Sequence, residues 1–207
     1  LDPLGDPLTV AGTVKAGVVG KLISNSQGQR VEAAAAKIWL PVPSLGAAAP
    51  AIPATASVGE GVEPFITPAS DFYRIDTALV PPAVDLDGWR LKIDGMVDTP
   101  REYTFQQLLD RPDLVERIVT LCCVSNEVGG PYVGNARWLG VPLVNLLREA
   151  GIKKGATQIA STSDDGWTCG FPTELALDGR DALVAIGMNG EPLPRVHGFP
   201  VRLVVPG

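Results

Sequence analysis

Alternation of apolar and polar positions gives the first outline of this chain. Trp89-Arg90-Leu91-Lys92-Ile93 alternates as a half-buried strand does and runs into the turn signal Asp94-Gly95. Glu116 to Cys122 is β-branched and apolar, and Gln158–Thr162, Ala182–Ile186 and Val201–Val205 are further segments that read as strands. Helical signals lie between them. Thr104 stands three residues before Gln107, a capping-box pattern that predicts a short helix over Phe105 to Leu109. Pro142 opens and Gly151 closes an amphipathic stretch, the asymmetry expected of a helix with proline at its start and glycine past its end. Val31 to Trp39 predicts a short helix or interfacial piece, and the rest of residues 1–45 shows no sustained apolar period. Strands and short helices that alternate irregularly, separated by long proline-rich loops, predict an α+β fold of mixed sheets rather than a doubly wound sheet.

Composition divides the chain in two. Residues 41–64 are rich in Ala, Pro and Gly, a composition that stays extended. The expected organisation is therefore an N-terminal segment and linker over 1–64 and a domain over 65–207. At 207 residues, 45% hydrophobic and 19% charged, the chain can bury a substantial core. Its 23 acidic and 17 basic residues give a net charge of −6, so no basic surface recommends nucleic acid as a partner. No apolar run approaches the roughly eighteen residues that a membrane-spanning helix needs. The start at Leu1 and the end at Pro206-Gly207 read as cuts, so a fragment is expected.

The stretch Thr120 to Gly130 (TLCCVSNEVGG) carries a strand into a turn-rich loop and puts thiols where the strand ends. Neighbours on a strand point to opposite faces, so Cys122 and Cys123 share a pocket only if the strand breaks between them. Cys123 is nearer the loop, whose small residues expose backbone N–H groups, and is the better candidate for chemistry. For Cys122 and Cys169 the expectation is a buried small hydrophobe. Three cysteines do not complete a disulfide framework and leave a thiol for a metal. Zinc held by Cys122, Cys123, Cys169 and His197 is disfavoured, because adjacent cysteines lack the spacing that lets two thiolates reach one tetrahedral ion. In the loop Ser70 to Thr77, Arg74 offers a planar fork of donors to an anion. Its plainer alternative is an ion pair with Asp71 or Asp76.

Two segments resemble the molybdenum-cofactor domain of the sulfite oxidase family. They are Leu121-x-Cys123-x-x-Asn126 followed by Ala136-Arg137-Trp138-x-Gly140-Val141-x-Leu143, and Met188 to Gly207 with its His197-Gly198-Phe199-Pro200-Val201-Arg202 core. The resemblance implies a molybdenum–molybdopterin cofactor, with tungsten as the other metal to consider, and Cys123 as both catalytic and metal-ligating thiolate. It places Ser70, Tyr73 and Arg74 in a loop against the pterin, and His197 and Arg202 on the cofactor. Asp165, or Asp164, falls where the family has a pterin contact, with a turn aspartate before Gly166 as the alternative. Two departures bear on substrate. Glu127 follows Asn126 where sulfite oxidases have a basic residue, and Trp167 stands near the position of their active-site tyrosine. These differences point away from sulfite and towards oxygen-atom transfer from a small-molecule or protein-bound oxidised substrate, a sulfoxide or N-oxide. The resemblance further implies an extracytoplasmic, membrane-attached domain served by a haem-protein or quinone-linked redox partner, with the membrane segment and a final phosphate-gripping loop outside this chain. The competing expectation is a binding or structural module that keeps the fold and lacks the cofactor.

Overall fold

Two sheets divide the strands of the computed structural model, which describes residues 8–12, 21–44, 46–56 and 59–207, with side chains from residue 27 onward. The first sheet contains β1 (Leu8–Gly12), β2 (Leu91–Asp94), β3 (Arg101–Tyr103), β6 (Gln158–Thr162) and β7 (Thr168–Pro172), in the order β3-β2-β1-β6-β7. The second contains β4 (Val115–Cys122), β5 (Val133–Pro142), β8 (Leu183–Met188) and β10 (Arg202–Val204), in the order β10-β8-β5-β4, with β9 (Glu191–Pro192) hairpinned onto β8. Every pairing is antiparallel except β1 with β6. The helices are α1 (Lys21–Ala35), α2 (Phe105–Leu109), α3 (Leu143–Ala150) and α4 (Thr173–Leu177). The expected α+β class, mixed sheets with short helices, is the one observed.

Local chemistry explains the elements that the sequence predicts. Thr104 Oγ1 accepts from Gln107 N at 3.0 Å while Gln107 Oε1 accepts from Thr104 N at 2.8 Å, so the capping box closes α2 at both donors. In α3 the helical spacing Leu143, Leu146, Leu147, Ala150 puts all four side chains in the core. Gly151 ends that helix at φ 72°, its amide donating to the Leu147 and Arg148 carbonyls.

Three features differ from the sequence reading. Leu8–Gly12 forms the central strand of the first sheet, although its short run has no repeated period to reveal it. The N-terminal helix covers Lys21–Ala35 rather than starting at Val31, and Val31, Ala35 and Ile38 pack on the core around Trp138. The proline-rich stretch is extended but docked. Glu116 N donates to Ala47 O at 2.7 Å and Arg137 Nη2 to Pro50 O at 3.1 Å, so Ala47 takes up one donor on the outer edge of β4 and Pro50 is held by a side chain of β5.

The ten-residue strand β5 escapes sequence reading because glycines and a charge interrupt its pattern, and both glycines are required by packing. A Cβ at Gly134 would strike the Phe72 ring, and one at Gly140 would strike the Val184 and Ala185 backbone where β5 and β8 shift register.

Candidate cofactor site

The strand β4 ends at Cys122, and the chain then closes on itself. Cys123 N donates to Tyr132 O at 2.9 Å, Asn126 N donates to Cys123 O at 2.9 Å, and Asn126 Oδ1 accepts from Tyr132 N at 2.9 Å. Gly130 N donates to Glu127 O at 2.8 Å, and Gly129 takes φ 76° to make the turn. Asn126 is thus the strut of the loop. Inside it, Cys123 Sγ lies 3.0 Å from Ser125 Oγ, and this hydroxyl, with the Ser125 backbone, holds the Cys123 thiol below its usual range. Ser125 was not singled out from the sequence, where a hydroxyl two residues past the thiol was the available signal.

The second approach is the turn after Pro68, where Phe72 N donates to Pro68 O at 3.0 Å. Thr67 fastens this loop to the second sheet, with Thr67 N donating to Asn135 O and Asn189 Nδ2 donating to Thr67 O. Phe72 is buried, edge-on to Trp138 at 5.8 Å and to His197 at 5.5 Å. Tyr73 stacks on Phe72 at 5.2 Å and is tilted against Tyr132 at 6.4 Å. Burial raises the Tyr73 phenol above its ordinary value; Arg202 opposes this, and Cys123 and Cys122 add to the rise. The phenol therefore senses a guanidinium and two thiols delivered by separate segments.

The third approach is a single 3-10 turn, Arg195–His197, followed by Gly198 at φ 102°. That glycine lets the chain double back, and a Cβ there would press on the Arg202 side chain. His197 is buried, and its Nε2 lies 2.8 Å from Ala69 O, so Nε2 carries the hydrogen. Burial, then the charges of Arg202 and Arg74, hold the imidazole below its usual pKa, against the pull of the Ala69 carbonyl. Arg202 is half-buried, its guanidinium 5.4 Å from the Trp138 ring centroid and 3.5 Å from His197 O. Among the described residues Arg202 has no carboxylate partner. Burial lowers its pKa below the usual value.

The remaining sequence candidates are placed as follows. Ser70 is exposed and donates to Asp71 Oδ1 at 2.9 Å; it adjoins Ala69, whose carbonyl meets His197. Arg74 forms the ion pair with Asp76 at 3.1 Å and donates to Ala78 O, while still bearing electrostatically on His197. Asp165 spends its carboxylate on the β6–β7 turn, accepting from Ser163 Oγ and from Trp167 N at 3.1 Å, and is held below the usual range chiefly by Ser163. Its neighbour differs. Asp164 Oδ1 is buried without a partner, and burial pushes the Asp164 carboxyl up to about 6, with the Trp89 side chain pulling it back and Asp165 raising it further.

Cys122 and Cys169 depart from the buried, hydrophobe-like role expected of them: both are exposed. Cys122 lies at the open end of β4, and Cys169 lies on the edge strand β7, which has little cover on either face. Because β4 ends between the two vicinal thiols, Cys122 also meets the loop, its Sγ accepting from Asn126 Nδ2 at 3.5 Å. Glu127 is exposed on the loop, and Trp167 is half-exposed in the β6–β7 turn of the other sheet. Among the described residues no hydrogen bond joins Asp165 or Trp167 to Cys123, Tyr73 or Arg202.

The donor set suits a bulky anion with a soft metal. It offers a thiol with a loosened proton, a half-buried cation with no carboxylate counter-ion and stacked rings. A sequence model of the family described as oxidoreductase molybdopterin binding domain matches residues 78–207. The chain is 34% identical over 169 aligned residues to the NADH nitrate reductase of Solanum lycopersicum, and 31% identical over 169 to NADH nitrate reductase 1 of Arabidopsis thaliana. Each alignment covers 69% of this chain and 18% of the relative, so the chain spans about a fifth of the curated relatives it matches. Among solved structures it is similar to the sulfane dehydrogenase SoxCD from Paracoccus pantotrophus, with a TM-score of 0.63 and 31% identity over 71% of this chain and 41% of that one.

Proposed function

The chain belongs to the oxidoreductase molybdopterin-binding domain family, whose cofactor is molybdenum–molybdopterin, and on that premise we propose that Cys123 is its thiolate ligand to the metal and that the loaded protein reduces a sulfoxide or N-oxide. The observation that carries this reading is the convergence of three separate segments: Tyr73 packs on Tyr132, which pairs with Cys123, and its stacking partner Phe72 meets the Trp138 ring that also receives the carboxylate-free Arg202. When bound, the cofactor supplies two-electron oxygen-atom transfer, and the protein supplies orientation and electrostatics.

Cys123 contributes the soft anionic ligand, and the Ser125 hydroxyl beside it stabilises the deprotonated sulfur. Arg202 gives its unpaired guanidinium to the anionic part of the cofactor. His197, neutral and oriented by Ala69, presents Nδ1 as an acceptor. Tyr73 keeps its proton at neutral pH and is a hydrogen-bond donor beside the thiols. Between the two aspartates we assign the pterin contact to Asp164, because its buried oxygen lacks a partner whereas the Asp165 carboxylate is used by its own turn.

Glu127 carries a negative charge on the Cys123 loop, and Val124 and Val128 beside it are fully exposed. An acidic, apolar rim disfavours an anion and favours a neutral oxide. Sulfite, and nitrate as named for the plant relatives, are both anions. In the proposed reaction a sulfoxide takes two electrons and two protons and leaves as sulfide and water. The electrons come from a membrane redox partner, a haem protein or a quinone-linked one, with the domain on the extracytoplasmic side. No helix of the described residues is itself long and apolar enough to cross a membrane.

The test is elemental analysis for molybdenum and tungsten, pterin released by acid, and dye-linked turnover of an alkyl sulfoxide, an amine N-oxide, nitrate and sulfite. Near-stoichiometric molybdenum and pterin with preference for the neutral oxides is expected. Preferred turnover of sulfite or nitrate sinks the substrate assignment, and protein that takes up neither metal nor pterin in a cofactor-making host is a cofactor-free module.

A further inference from the structure

Arg195 opens the 3-10 turn that ends at His197, yet its side chain points away from the cluster around Cys123. Its Nη2 donates to Pro81 O at 2.8 Å and its Nε to Pro82 O at 3.3 Å, while Nη1 meets Glu32 Oε1 of α1 at 3.2 Å. The side chain is only 12% exposed. Gly28 of α1 is buried against it, and a Cβ at Gly28 would overlap the guanidinium. Glycine inside a helix is disfavoured relative to alanine, so this position gives up helix propensity and gains a close approach. The planar fork thus binds three segments at once: α1, the end of the loop that carries Ser70, Tyr73 and Arg74, and the turn that carries His197. A lysine has a point charge without the fork and cannot reproduce the pattern.

We propose that Arg195, seated in a socket made by Gly28, is a positioning residue that keeps the Tyr73 loop and the His197 turn in register, which makes α1 part of the cofactor site's support. This rests on the reading that Tyr73 and His197 hold the cofactor. The hydrogen bond from His197 to Ala69 O and the edge contact of Phe72 with His197 join those two segments near residues 69–72, and leave the far end of the loop to Arg195.

The experiment uses the full chain with Gly28→Ala, which perturbs the socket while favouring the helix, and Arg195→Lys, which keeps the charge. Hydrogen exchange reads the Asp71, Phe72, His197 and Gly198 amides, all hydrogen-bonded in the structure, against α3 as a reference. Loss of a charged hydrogen-bond fork predicts roughly tenfold or faster exchange at those amides in both variants. Amides of α3 should stay protected, and loaded protein should release pterin several-fold faster. Deprotection confined to residues 21–35 with wild-type pterin release, or an equal loss of protection in α3, overturns the proposal. If wild-type protein carries no pterin the cofactor reading falls, while the exchange pattern still decides the role of Arg195.

Discussion

Asp164→Asn should stabilise the cofactor-free protein at neutral pH and much less at acid pH. The Asp164 carboxyl is pushed from its ordinary value of 3.8 up to about 6, chiefly by burial, and one oxygen has no hydrogen-bond partner. At about 1.36 kcal/mol per pKa unit, the full difference is near 3 kcal/mol. Because the side chain is only half-buried, solvent screening reduces this to roughly 1–1.5 kcal/mol. The sign follows from linkage: the folded state binds the proton more tightly, so wild-type stability falls as pH rises from about 4 to about 6 and the penalty is complete above that window. Asparagine does not titrate and escapes it. The assay is thermal denaturation of the cofactor-free protein at pH 4.5 and pH 7.5, with a melting shift of about 2–6 °C expected at the higher pH. An equal gain at both pH values, or destabilisation at pH 7.5, would refute the reasoning. If Asp164 is the pterin contact proposed above, the same substitution should also weaken pterin retention, because it removes the charge from the oxygen that has no partner within the protein.

Three further outcomes follow from the site. Cys123→Ser should remove metal from a folded protein, whereas Cys122→Ser, at an exposed thiol, should change stability by less than about 0.5 kcal/mol and leave metal bound; metal content and a denaturation midpoint check both. Arg202→Met should abolish pterin retention without destabilising the cofactor-free protein, because it removes a half-buried cation that has no carboxylate partner, and thermal melting with and without cofactor separates the two effects. Thr104→Ala opens the capping box of α2 and should cost about 1 kcal/mol with no change in metal content, measurable by urea denaturation.

The two long motifs singled out Cys123, His197 and Arg202 as candidates, and local chemistry fixed the cap of α2 and the core face of α3. What the chain's order could not show was which neighbours would be used up locally. Arg74 and Asp165 carry the right chemistry, but Asp76 and the β6–β7 turn take their hydrogen bonds. Exposure of Cys122 and Cys169 was equally hidden, because burial depends on what other segments cover, and strand ends and sheet edges are the places left open.

By itself the sequence determined the apolar periods, the caps and the positions of a thiol, an imidazole and a guanidinium, all of which are properties of residues a few places apart, whereas the glycines that permit close approach, Gly28, Gly134 and Gly140, are explained only by distant neighbours. The tertiary structure alone decided that Leu8–Gly12 enters the first sheet, that Phe72 and Trp138 build the wall behind Tyr73, and that Arg195 reaches α1. Those contacts join residues tens to more than a hundred positions apart. Their partners are chosen by packing and by the requirement that buried polar groups find partners, and neither is written in a local pattern.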